Sequence, residues 1–108
     1  MTVQTVFRHV NASDALESAI RARAEQLEPI DHILGCRVVV DRPHRQHRQG
    51  NAIQVRVELS RRGEDIVASV EGQAGVETAI DNAFDIARRR LEDLTDSHRT
   101  RTRHHTLT

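Results

Sequence analysis

The chain has 108 residues, a length that fits one domain, and its sixteen basic and sixteen acidic side chains cancel. A domain of about 100 residues buries enough surface to fold without a structural metal or a disulfide framework, and the single cysteine, Cys36, has no internal disulfide partner. Aromatic residues make up only 2% of the chain, so the core has to consist of aliphatic side chains.

Two absences in the sequence bear on where the protein resides. No apolar run approaches the roughly 18 residues that a membrane-spanning helix needs. The segment 1–10 lacks the basic start and apolar stretch of a secretory signal. Together these absences predict a cytoplasmic protein with no membrane partner.

The first half of the sequence predicts a strand, a helix and a second strand. Residues 3–10 are strand-like, and Ser13 is suited to cap a helix because its hydroxyl accepts a bond from an unpaired backbone N–H. The helix is predicted over 14–28, before Pro29, which has no N–H to donate, and the second strand over 36–41. The apolar stripe of this helix consists of Leu16, Ala19, Ile20, Ala24 and Leu27.

The second half predicts two strands and a long helix. Over 52–60 apolar and polar residues alternate, which is typical of a strand with one buried and one open face. A turn at 61–64 leads to an antiparallel strand over 65–70, and a final helix is predicted over 76–94. The apolar positions of this helix are Val76, Ile80, Ala83, Phe84, Ala87, Leu91 and Leu94.

The predicted order of elements is β-α-β-β-β-α. A strand, a helix and a strand in succession favour a right-handed parallel crossover, and each helix has one apolar stripe. We therefore predict an α+β fold in which two helices pack on one face of a four-stranded mixed sheet. The domain is predicted to span 1–98. The segment 99–108, rich in Arg, Thr and His, is predicted to be a disordered basic tail because it cannot bury enough apolar surface.

The basic residues, all of them arginine, concentrate in two segments. Seven arginines stand against two acids over 37–62, and six stand against three acids over 88–105. Arginine binds phosphate through two parallel hydrogen bonds, and phosphate contacts supply most of the sequence-independent affinity for nucleic acid. The candidate phosphate-binding residues are Arg42, His44, Arg45, His47, Arg48, Arg88, Arg89 and Arg90.

Several stretches resemble the bacterial ribosome hibernation-promoting factor / ribosome-associated inhibitor family in its short, single-domain form. The stretch 66–73 contains Glu-Gly and is followed by Ala-Ile-Asp at 79–81, which is similar to the strand end and the long-helix start of that family. The capped first helix, with Ala-Leu near its start, and the loop at 43–51 are similar as well. The resemblance extends over about residues 3–95.

This resemblance implies a ribosome-associated translation inhibitor that is not an enzyme. Such a protein binds the small ribosomal subunit and its rRNA in the channel of messenger and transfer RNA, and it stabilises idle ribosomes under stress. The resemblance implies no cofactor, no metal and no small-molecule substrate. The C-terminal dimerisation domain of the long form is absent from these 108 residues, so we expect a monomer, with a weak dimer as the alternative.

Simpler interpretations of the two arginine clusters remain open. The loop that carries the first cluster fits a solvated hairpin connection, although ten residues are more than a hairpin needs. Arg88–Arg90 lie late in the predicted helix, where they can interact with its C-terminal dipole and pair with Asp85, Glu92 or Asp93.

Other chemistry finds little support in the sequence. His44 and His47 fall short of the four or so ligands that a zinc site needs. Asp81 and Asp85 share a helix face at four-residue spacing, which fits paired carboxylates or, more simply, the solvated side of an amphipathic helix. A small hydrolase is a further, weakly supported alternative. The main alternative function is a non-catalytic interaction module that homodimerises through the polar sheet face or an exposed strand edge.

Overall fold

The computed structural model of the protein describes the backbone of residues 1–43 and 52–106, and the side chains of residues 1–43 and 52–96. Six elements follow one another in the predicted order β-α-β-β-β-α, which is confirmed. They are β1 (Thr2–Arg8), α1 (Asp14–Glu25), β2 (Gly35–Asp41), β3 (Ile53–Ser60), β4 (Ile66–Gly72) and α2 (Val76–Thr106).

The four strands form one mixed sheet in the order β1-β2-β3-β4. β1 and β2 are parallel, as the crossover through α1 requires, and the two remaining pairs are antiparallel. The register places Phe7 beside Val40, Val40 beside Val55, and Val55 beside Val70. Because paired residues of neighbouring strands point to the same side, these side chains share one face of the sheet.

Both helices cover that face, so the predicted α+β architecture is confirmed. The core joins apolar residues of three strands to those of α1 and α2, and Phe84 is its largest fully buried side chain. Two apolar residues of the alternating stretch in β3 and four of the predicted apolar positions of α2 are buried in this core: Val55, Val57, Ile80, Ala83, Phe84 and Leu91.

The helix α1 begins as the sequence predicts and ends earlier. The Oγ of Ser13 accepts a hydrogen bond from the backbone N–H of Leu16 at 3.1 Å. The helix ends at Glu25, three residues before the predicted end at Glu28, because the chain passes into tighter turns. In these turns the N–H of Leu27 bonds Ala24 O and that of Glu28 bonds Glu25 O.

The helix α2 is longer than the sequence predicts. Its predicted end at Leu94 is wrong, since the helical backbone continues to Thr106. No glycine or proline follows Gly75, so no residue interrupts the backbone hydrogen bonds where the apolar pattern ends. Disorder of 99–108 in the free protein stays a prediction that backbone amide relaxation would test. Over the described ranges, neither helix is both long and apolar enough to cross a membrane.

Candidate functional site

The first group of predicted site residues, called the loop cluster below, begins at Arg42, at the end of the sheet where β1 and β2 finish. The backbone N–H of Arg42 bonds the carbonyl of Arg8 at 3.0 Å, which continues the parallel pairing by one residue. Arg42 is half-buried, and its Nε has no hydrogen-bond partner among the described residues. The other predicted site residues of this loop lie outside the described residues; they are His44, Arg45, His47 and Arg48.

The exposed Arg8, which no sequence pattern singles out, lies at the same end of the sheet. Arg8 is paired in register with Asp41, one residue before Arg42. The two arginines are far apart in the sequence, and only the parallel pairing of β1 with β2 makes them neighbours. Arg8 therefore adds a cation at the base of the loop.

The three arginines of α2 point in different directions and make different contacts. Arg88 Nε lies 3.3 Å from Glu92 Oε1, one helical turn away, so the pairing with Glu92 considered from the sequence is confirmed. Arg90 donates from Nη1 to the backbone carbonyl of Val67 on β4. Arg89 is exposed and makes no ion pair or hydrogen bond with the described side chains. Arg89 is therefore the one arginine of these three whose guanidinium is not engaged by a described residue.

The structure does not bring the two predicted clusters together. The loop leaves β2 at the end of the sheet where Asp41 pairs with Gln54, and α2 starts at this same end. α2 then runs back along β4, so Arg90 reaches Val67 near the opposite end of the sheet. Arg42 and Val67 are about 20 Å apart, because five residues along a strand and two strand spacings lie between them.

Between these two ends, the open face of the sheet carries paired charges. Arg37 Nη1 lies 3.1 Å from Glu58 Oε2, and Arg56 Nε lies 3.3 Å from Glu58 Oε1. At the loop end of this face, His9 Nδ1 lies 3.3 Å from Asp41 Oδ1, a contact that is an ion pair only when the imidazole is protonated. The face forms a shallow groove of about 580 Å³. The positive excess that the sequence shows over 37–62 is thus partly neutralised on this face.

Arg61 is held within the body of the protein. Its Nε and Nη2 lie 3.3 and 2.8 Å from Asp31 Oδ2, and its Nη1 donates to Glu64 O. Thr95 Oγ1 on α2 donates to the same Asp31 oxygen at 3.5 Å. The bond from Arg61 holds the pKa of Asp31 below its ordinary value, with further hydrogen bonds from the His32 N–H and Thr95 acting in the same direction. Arg61 is therefore a structural residue.

The two helices are linked through Arg23 of α1. Its Nη2 donates to Asp85 Oδ1 at 2.6 Å and to Asp81 O at 3.1 Å. Its Nε lies 3.6 Å from Asp81 Oδ1, an ion-pair distance that is too long for a hydrogen bond. The guanidinium carbon also lies 5.9 Å from the centre of the Phe84 ring. Asp81 and Asp85 thus bind an arginine instead of facing each other as a catalytic pair.

The described residues hold no arrangement suited to a metal. Over 1–43 and 52–96, no three histidine, cysteine or acidic side chains come together as ligands. Cys36 is buried, and burial raises the pKa of its thiol to about 11. A thiol with so high a pKa is almost entirely protonated at neutral pH, which makes it a poor nucleophile.

Comparison with known proteins identifies the family. The four-stranded sheet with two helices on one face defines a small α+β domain that carries arginines at both ends of the sheet. The chain belongs to the sigma-54 modulation protein / S30EA ribosomal protein family, whose model matches residues 3–99. The predicted membership of the hibernation-promoting factor family is thereby confirmed, and the protein is of the ribosome-associated class. A search of the curated proteins found no match.

Solved structures share the fold at low sequence identity. The N-terminal domain of Protein Y from Thermus thermophilus has a TM-score of 0.72 and is 14% identical, with 87% of this chain and 99% of that chain covered. A ribosomal subunit interface protein from Coxiella burnetii has a TM-score of 0.61 and is 16% identical, with 93% and 99% covered. At these identities, the similarity concerns the fold alone.

Proposed function

We propose that this protein is a ribosome-associated translation inhibitor that binds the small ribosomal subunit in the channel of messenger and transfer RNA. The observation that carries the proposal is the family match over residues 3–99. In this role the protein stabilises idle ribosomes under stress. The name of the Coxiella burnetii protein, a ribosomal subunit interface protein, is consistent with binding near that channel.

The proposed mechanism is occlusion, which needs no catalytic residue. The core of aliphatic side chains and Phe84 makes the domain a compact body, and such a body excludes an RNA from the space it fills. The affinity comes from arginine–phosphate contacts, which are independent of base sequence. The protein therefore acts as a competitor and not as an enzyme, and a ribosomal partner implies a cytoplasmic location.

The proposed rRNA contacts lie at the two ends of the sheet. One group is the loop cluster of Arg42, His44, Arg45, His47 and Arg48, and the other is Arg88, Arg89 and Arg90. About 20 Å separates the base of the loop from the Val67 end, so the two groups would contact different stretches of RNA. Arg90 has five N–H donors, and its bond to Val67 leaves others for phosphate.

Cosedimentation with ribosomal particles tests the proposal. We expect the purified protein to sediment with small subunits and whole ribosomes at low salt and to dissociate at high salt. If about five of the eight proposed contact residues bind phosphate, the slope of log K against log salt is about −3.5 to −4.5. Absence of binding at every salt concentration would refute the proposed function and leave only the fold.

Charge-reversal variants test the loop separately. Arg45→Glu with Arg48→Glu should weaken ribosome binding strongly at low salt and make the salt slope shallower. The control is the double variant Arg21→Glu with Arg62→Glu, which changes the net charge equally. Both arginines are exposed, and neither belongs to the proposed contact residues. If the two double variants lose the same affinity, the effect reflects net charge alone and the loop has no special role.

The α2 group is best tested through Arg89. Arg88 pairs with Glu92 and Arg90 bonds Val67, so substitutions there change internal contacts as well. Arg89 makes no such contact with the described residues, so Arg89→Glu isolates the effect on RNA. We expect weaker ribosome binding with an unchanged midpoint of unfolding. Unchanged binding would remove this end of α2 from the site.

A further inference from the structure

The C-terminal part of α2 extends past the body of the protein. The bond from Thr95 Oγ1 to Asp31 Oδ2, 3.5 Å long, is the last hydrogen bond between α2 and the body among the described side chains. The helical backbone continues beyond this point to Thr106. The segment 97–106, called the arm below, is about 15 Å long at 1.5 Å per residue. The long dimension of the protein is 60 Å, against roughly 25 Å for its strands, so the arm projects away from the sheet.

The arm differs in composition from the rest of the chain. It contains three arginines and three histidines, and it has no acidic or apolar residue. All sixteen acids lie within 1–96, where they stand against thirteen arginines. The helical layer is the most acidic part, since 14–31 and 76–96 carry eleven acids against five arginines. The arm therefore carries the positive charge that balances the net negative charge of residues 1–96.

We propose that the arm binds RNA phosphates, as a third contact region besides the loop cluster and the arginines at 88–90. This inference rests on the proposed function in taking RNA as the partner. Without the arm, the net negative charge of the chain would repel a phosphate backbone. A projecting helix lets its cations contact phosphates while the acidic helical layer stays at a distance. The arm has no apolar residue to enter a lipid layer, so its chemistry favours RNA over a membrane.

RNA binding and helix formation in the arm support each other. Positions 99 and 103, both arginine, are one helical turn apart, and like charges at this spacing destabilise a helix in water. Threonine, a residue of low helix propensity, occupies three of the ten positions. Phosphates neutralise the arginines, and the preceding turns of α2 supply the helical nucleus. The helix of the arm is therefore more stable on RNA than in the free protein.

Binding to an RNA duplex of arbitrary sequence tests the proposal without the ribosome. Fluorescence anisotropy is measured over a salt series. Arg99→Gln with Arg103→Gln should weaken binding at low salt and make the salt slope shallower by about 1.4–1.8, since each lost phosphate contact removes about 0.7–0.9. The matched control, Arg21→Gln with Arg62→Gln, removes the same charge from two exposed positions and should keep the parental slope. Equal losses from both double variants, or no binding of the parent at any salt, would overturn the proposal.

Cosedimentation of the same variants with small subunits separates this proposal from the proposed function. Loss of binding by the arm variant alone supports both. If parent and arm variant bind subunits and duplex equally well, the arm proposal fails and the proposed function stands. If the parent binds the duplex through the arm and does not bind subunits, the proposed function fails and the arm proposal stands. An arm variant that loses binding to anionic lipid vesicles and keeps binding to RNA would assign the arm to a membrane and overturn the proposal.

The role of the helix is tested at Thr100. Thr100→Pro interrupts the backbone hydrogen bonds of the arm and leaves every arginine in place, whereas Thr100→Ala keeps the helix. We expect weaker duplex binding by Thr100→Pro and at least parental binding by Thr100→Ala. Addition of RNA should shift the backbone amide signals of 97–106 toward helical values in the parent and not in Thr100→Pro. Parental affinity of Thr100→Pro would contradict binding by a helical arm.

Discussion

Arg23 on α1 and Asp85 on α2 are joined by a hydrogen bond of 2.6 Å between Nη2 and Oδ1. The two residues are 62 positions apart in the sequence. The contact fixes the distance between the two helices on the sheet, and Asp81 and the Phe84 ring contribute to the same arginine site.

Removal of Arg23 should destabilise the protein. We expect Arg23→Ala to lower the free energy of unfolding by about 1–2 kcal/mol, because it leaves Asp85 unpaired and removes the contact with the Phe84 ring. Arg21→Ala, two residues away and exposed, is the control and should change stability by less than about 0.5 kcal/mol. Urea unfolding followed by circular dichroism measures both. Equal effects would show that the helix contact carries little energy.

A cavity in the core tests the packing of α2 on the sheet. Leu91 is completely buried, and Leu91→Ala should cost about 2–5 kcal/mol through lost burial and the space left behind. Leu34 is 51% exposed, and Leu34→Ala is the control, expected within about 0.5 kcal/mol of the parent. Similar losses from both leucines would contradict the position of α2.

The dependence of stability on pH should reveal the Asp31–Arg61 pair. The pKa of Asp31 is lower in the folded protein than its ordinary value of 3.8. Its contribution to the free energy of unfolding is therefore complete above pH 3.8 and is lost as the pH falls through the pKa of the folded state. At pH 7, Asp31→Asn should lower the free energy of unfolding by about 1–2 kcal/mol. The difference from the parent should vanish in strong acid. A difference that persists unchanged there would show that the carboxylate charge is not its cause.

The buried thiol offers a simple test of native packing. Burial raises the pKa of Cys36 to about 11, so the folded protein should react very slowly with a thiol reagent at pH 8, where little thiolate forms. In denaturant the reaction should be fast and complete. Fast reaction of the native protein would place Cys36 at the surface and contradict the packing of β2.

The sequence predicts the backbone of this fold well because its hydrophobic periods are clear. The strict alternation over 53–60 defines the two faces of β3, and the apolar period from Val76 to Leu91 defines the buried side of α2. The prediction of the apolar stripe of α1 is less accurate. Ala19 is exposed, whereas its neighbour Ile20 is buried, since adjacent residues lie about 100° apart around a helix.

The site is harder to predict because it depends on contacts across the chain. Net charge over a segment does not show that Arg61 is held by Asp31 or that Arg90 bonds the edge of β4. Nor does it show that the two arginine clusters lie at opposite ends of the sheet. These facts depend on the strand register and on the direction in which α2 crosses the sheet, which local sequence patterns do not contain.

Competition for the small subunit tests the central claim most directly. Small subunits carrying labelled protein are titrated with messenger and transfer RNA, and bound protein is measured after sedimentation. Occlusion predicts that bound protein falls as the channel fills and that excess protein in turn displaces the transfer RNA. Binding in that channel would be contradicted by stable particles that carry the protein, messenger RNA and transfer RNA together. In such particles each component would bind as tightly as it does in the absence of the others.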